Sequence, residues 1–158
     1  MTEVDELCSA FEAATLRSFD YLRTDYGFTQ VESGGGGIED WILFKSPAAA
    51  IRVMYEVGGC PWVQILRLRA GAVPTRGADV TTLELLLEER DPTYRELEYG
   101  FGELSAPQIA QVVAVKAAKL REFGEDVLKG DFQVFGRLAA LAEANLRRRE
   151  RKLSDPGR

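Results

Sequence analysis

Cys60-Pro61-Trp62 places a thiol at a turn beside an aromatic ring, the grouping in this chain most suggestive of a nucleophile. A cysteine attacks as its thiolate, which calls for a neighbouring base or cation. The sequence contains no histidine, so that base would have to be a lysine or a carboxylate. The same absence excludes Ser-His and Cys-His nucleophiles and His-ligated metal sites. The plainer reading of the triplet is a small buried thiol at a turn. Glu39, Asp40 and Glu56 could hold magnesium or share a proton. Neighbours on a strand point to opposite faces, so Glu39 and Asp40 cannot enter one site, and these carboxylates read as solvated. Gly34 to Gly37 invites a phosphate-loop reading. Such a loop needs a following Lys-Ser/Thr and a helix, whereas Ile38 and a strand follow here, so the glycines read as a hairpin loop. No cofactor and no metal are expected, and no catalytic residue is assigned.

Charge gives the stronger hint. The chain has 20 basic and 25 acidic residues, a net charge of −5. From Arg147 to Arg158 six basic residues stand against two acidic ones. That segment is therefore +4, and residues 1–146 carry −9. The stretch from Glu84 to Glu103 is the acidic centre: Glu84, Glu88, Glu89, Asp91, Glu96, Glu98 and Glu103 outnumber Arg90 and Arg95, with Tyr94, Tyr99 and Phe101 interleaved. Carboxylates steer a basic partner and aromatic rings anchor it. The expected partner-binding residues are thus Glu88, Glu89, Asp91, Tyr94, Glu96, Glu98 and Tyr99, on a non-enzymatic module that captures a basic protein. The alternative is a small-molecule-binding or enzymatic domain whose pocket, between sheet and helices, is lined by Trp41, Tyr55 and Trp62. The arginine run lacks interleaved aromatics and suits the negative end of a helix, so nucleic acid is not the expected partner.

The elements that must position these residues follow from hydrophobic spacing. Thr2 and Asp5 form a capping box opening a helix whose apolar residues Val4, Leu7, Phe11, Ala14, Phe19 and Leu22 run on to a stop at Gly27. Four strands follow, over 28–33, 38–45, 51–57 and 62–69. In the third, Ile51, Val53, Tyr55 and Val57 alternate with Arg52 and Glu56 and should face a core. In the fourth, Val63 and Ile65 oppose Leu66 and Leu68, which implies a bulge or cover on both faces. A Gly/Pro/Ala linker over 70–78 leads to a short helix capped by Thr81 and Glu84 and ended by Asp91-Pro92. Ser105, Pro107 and Gln108 open a long helix reaching Lys129-Gly130, and Asp131 is expected to cap a last one that pairs with it as a hairpin.

The pieces Leu22 to Phe28 (LRTDYGF) and Leu120 to Phe135 (LREFGEDVLKGDFQVF) resemble small bacterial proteins grouped with the immunity proteins of toxin systems. The resemblance implies no catalytic residues, and it implies toxin neutralisation only as an expectation.

Strands followed by helices, joined by connections too short for crossovers, predict an α+β fold: an N-terminal helix, a four-stranded antiparallel sheet, then C-terminal helices packed on one face. At 158 residues one domain is expected, 1–150, with 151–158 as a frayed basic tail. No apolar run approaches the roughly 20 residues of a membrane span, and Met1 to Glu6 is acidic where a leader is basic. The expectation is a cytoplasmic protein that does not enter a membrane, with helices apolar enough to be compatible with a homodimer.

Overall fold

The computed structural model describes residues 1–95, 103–155 and 157. The chain builds α1 (Glu3–Ser18), α2 (Asp20–Tyr26), strands β1 (Gln30–Gly36), β2 (Glu39–Lys45), β3 (Ala49–Glu56), β4 (Trp62–Arg67) and β5 (Val80–Thr82), then α3 (Leu83–Arg90), α4 (Ala106–Phe123), α5 (Glu125–Leu128) and α6 (Phe135–Ser154). The sheet is an antiparallel meander in the order β1-β2-β3-β4-β5. The α+β reading holds, with five strands where four were expected. The fifth is three residues long, too short for any alternation to mark it.

Capping chemistry fixes the helix starts. Thr2 and Asp5 exchange their side-chain and backbone bonds at α1, and Ser105 and Gln108 do the same at α4 with Pro107 in the first turn. At α3 the cap is Thr82, whose hydroxyl accepts from Leu85 N, and not Thr81; Thr81 is spent as a buried residue of β5. Asp131 accepts from Gln133 N in a local turn, and α6 begins later, at Phe135, without a side-chain cap. The first helix breaks at Phe19, where the expectation was one continuous helix. Phe19 is fully buried against Phe44 and Tyr21, one position off the stripe set by Leu7, Phe11 and Ala14, and the turn that buries it starts α2. Gly27, at φ 74°, ends α2 in the left-handed conformation that glycine takes without strain.

The core lies between the sheet and the helices. Ile42 and Phe44, Ile51, Val53 and Tyr55, and Val63 and Ile65 face Phe11, Leu83, Leu86, Ile109, Val112 and Leu120. On the other sheet face Leu43, Ala50, Leu66 and Leu68 form a smaller cluster, roofed by Val73 and Val80. The fourth strand is therefore covered on both sides, and its ladder runs without a bulge. The linker supplies that cover. It turns back at Ala70, which holds a positive φ of 51°, and is fastened by the Arg69–Asp79 ion pair at 3.1 Å. The glycine run belongs mostly to β1: a Cβ on Gly34 would collide with the Trp41 ring, and one on Gly35 with the backbone of β2.

Helix α4 packs along α1, and α6 lies on α3 and β5, so the expected hairpin of the two long helices is not the main pairing. An apolar stripe shows that a helix must be covered without showing by what. Tyr21 OH donates to the Ala117 carbonyl at 2.8 Å and pins α2 to α4. Helix α6 continues regularly to Ser154, beyond the expected start of fraying at residue 151.

Candidate functional site

Helices α3 and α4 and the turn before β4 enclose a cleft of about 360 Å³. Its volume lies in the range of small-molecule pockets, roughly 300–1,000 Å³. The wall is apolar, made by Pro61, Trp62, Leu83, Leu87 and Val115, and Cys60 also lines it. The triplet that drew attention in the sequence is therefore part of the cleft. Cys8 and Cys60 form no disulfide. Cys8 lies elsewhere, beside Asp40, where burial foremost and the carboxylate next push its thiol up to about 11.

Asp91 organises the polar edge. It follows the last residue of α3 and is only 6% exposed. One carboxylate oxygen accepts from Thr93 N at 3.0 Å and Thr93 Oγ1 at 2.7 Å, and the other from Lys119 Nζ at 2.9 Å. The Lys119 bond first, then the Thr93 hydroxyl, hold its carboxyl down at about 2, and the same contact raises the Lys119 ammonium. Lys119 also lies 5.3 Å from the Phe123 ring centroid. One turn earlier on α4, Lys116 Nζ meets Glu84 Oε1 at 2.7 Å. Below them the Arg90 guanidinium takes both oxygens of Asp126 at 2.6 Å and the Phe123 carbonyl at 2.6 Å. Three ion pairs thus lace α3 to α4 and α5, and the cleft opens beside two of them.

The residues expected to bind a partner are divided by this arrangement. Asp91 and Tyr94 line the cleft. Glu88 accepts from Asn145 Nδ2 at 3.0 Å and Glu89 from Arg137 Nε at 2.8 Å, both partners on α6, and both glutamates remain exposed. Glu96, Glu98 and Tyr99 lie outside the described residues, as does Phe101.

The aromatic trio Trp41, Tyr55 and Trp62 does not converge on a pocket. Strand register places Trp41, Met54 and Trp62 on the sheet face opposite Tyr55. Trp41 sits over Gly34 with the Arg52 guanidinium 5.8 Å from its ring, Tyr55 is buried against Phe11, and Trp62 alone lines the cleft. The Tyr55 hydroxyl is buried with no hydrogen-bond partner among the described residues, and burial raises its pKa. An orphaned buried hydroxyl costs about 1–3 kcal/mol. Tyr55→Phe is therefore expected to be stabilising or neutral by urea denaturation, and a loss of more than about 1 kcal/mol would mean that the hydroxyl is satisfied.

The carboxylates Glu39 and Glu56 face each other across β2 and β3, with Asp40 on the other face as strand geometry requires. Among the described residues no group of three or more Cys, Asp or Glu side chains converges as metal ligands do. Arg147, Arg148, Arg149, Arg151 and Lys152 are exposed on the last turns of α6. No described helix is long and apolar enough to cross a membrane.

Sequence reasoning missed Val115, Lys116 and Lys119. Lysines on an amphipathic helix read as its solvated side, and nothing local reveals that their partners lie about thirty positions upstream. No family model matches the chain, and no curated protein or solved structure matches it.

Proposed function

We propose that this protein binds a small molecule in the cleft between α3, α4 and the start of β4. The observation that carries the reading is the pairing of an apolar wall with a polar edge built on a buried carboxylate whose hydrogen bonds are all made within the protein. A few fixed polar groups on a mostly hydrophobic concavity are the usual make-up of a ligand site. Trp62 is one of only two tryptophans, so a Trp41→Phe protein carries a single emitter on the cleft wall. Titration with n-octanol or n-octanoate is expected to change its emission saturably, and Val115→Glu, a charge placed at a residue already 38% exposed, to abolish the change. An unsaturable response, or one indifferent to Val115→Glu, would count against the cleft.

A second reading, capture of a basic protein, is favoured by one observation. Glu39 and Glu56 stand directly opposite each other, exposed and without a described ion pair, and like charges across a ladder cost stability that a cationic partner would relieve. On this reading Glu56→Lys stabilises the isolated protein and weakens its salt-dependent retention on immobilised polylysine.

A further inference from the structure

The hydrogen-bond inventory of the cleft narrows the chemistry of its ligand, and this step rests on the small-molecule reading above. A lysine ammonium has three donors and a carboxylate only acceptor sites. Asp91 already accepts three bonds and its side chain is 4% exposed, whereas its partner Lys119 is 34% exposed. The pair therefore presents its cation to the cleft and keeps its anion inside. Lys116 gives a single described bond, to Glu84, and Arg95, exposed at the same edge, gives one N–H to the Tyr94 carbonyl at 2.8 Å. Lys119, Lys116 and Arg95 thus keep N–H donors beyond their described bonds, while of the two lining carboxylates Asp91 is fully engaged and Glu84 accepts one described bond. Among the described lining residues three cations, Arg95, Lys116 and Lys119, stand beside two carboxylates, Glu84 and Asp91. The described lining is therefore net positive, on a chain whose first 146 residues carry −9.

We infer that the ligand is a small amphipathic carboxylate, its apolar body against Trp62, Leu83, Leu87 and Val115 and its anionic group on Lys119 and Arg95. A neutral ligand would offer those donors weaker, uncharged acceptors, and a cationic one would be repelled by them. Charge-assisted bonds to a partly desolvated ammonium are stronger than neutral ones. They also weaken with salt at the exposed arginine.

Three probes of equal chain length separate the possibilities: n-octanoate, n-octanol and n-octylammonium, titrated into the full chain by calorimetry. The expected result is n-octanoate tightest, by about tenfold over n-octanol, the lower end of what a hydrogen bond to a charged group contributes because Lys119 is partly solvated. Lys119→Gln keeps a donor for Asp91 and removes the charge. It should erase the preference, so that n-octanoate and n-octanol bind the variant equally. Arg95→Gln, at an exposed position, provides a second variant that folding cannot confound. If n-octanol or n-octylammonium bound as well as n-octanoate, the assignment of an anionic ligand would fall while the cleft remained a binding site. If none of the three bound, the cleft reading would fall with it.

Discussion

Phe11→Ala should remove about 3–5 kcal/mol of stability, the range found for deleting a buried phenylalanine. Phe11 is fully buried and its ring lies 5.5 Å from that of Tyr55, so it is a contact through which α1 meets the middle of the sheet. Helix α1 is in turn the main partner of α4, so the space left by the ring opens at the junction of three elements. Small domains hold a margin of roughly 5–15 kcal/mol, and this single truncation would use a large part of it. In urea the midpoint should fall sharply with the slope unchanged, which is the signature of lost stability without a change in the surface exposed. A loss below about 1 kcal/mol would show that α1 does not clamp the sheet.

Acid should dismantle the cleft edge next. The Asp91 carboxyl sits at about 2 in the fold, against an ordinary value of 3.8, because Lys119 and Thr93 hold its charged form. A carboxyl depressed by folding contributes stability that is fully present above its unfolded value. That contribution is lost as pH falls from about 4 towards 2. Asp91→Asn retains the shape and part of the hydrogen bonding without the charge. The variant should therefore be less stable than the parent at neutral pH and lose less on acidification, so that the two stability curves converge by about pH 2. Parallel curves over that window would mean that the Asp91–Lys119 contact is solvated and adds little.

These two residues also show how far the sequence reaches. Phe11 could be placed in the core from its spacing to Leu7 and Ala14, and Ile51, Val53 and Tyr55 from strict alternation, because burial imposes periods of 3.6 and 2 on any amphipathic element. Helix starts were legible where a cap uses side chains, at Thr2–Asp5 and Ser105–Gln108, and were misplaced by one residue where Thr81 and Thr82 compete. The break at Phe19 left only a faint mark, a step of five from Ala14 in an otherwise regular stripe. Pairing partners were not legible. Nothing in α4 says that it packs on α1 rather than α6.

The site was legible in fragments. Cys60-Pro61-Trp62 and Asp91 with Tyr94 were singled out separately, for a nucleophile and for a charged docking surface, and the fold brings them to one cleft. Four of the described carboxylates of the acidic stretch make long-range hydrogen bonds within the fold. Glu84 and Asp91 turn to lysines on α4, Glu88 and Glu89 to Asn145 and Arg137 on α6. Such pairs span about 30 to 60 residues of sequence, and local spacing carries no trace of them.

Methyl carbon–proton correlation spectra of the full chain, recorded during titration with n-octanoate, test the proposed ligand cleft most directly. Saturable shifts are expected at the methyls of Leu83, Leu87 and Val115, with Leu43 and Leu66 on the far sheet face and Leu146 and Leu153 on α6 unmoved. Shifts centred on Leu43, Leu66, Leu146 or Leu153, or no saturable shift at the cleft methyls at concentrations that saturate neither aggregation nor denaturation, would contradict it.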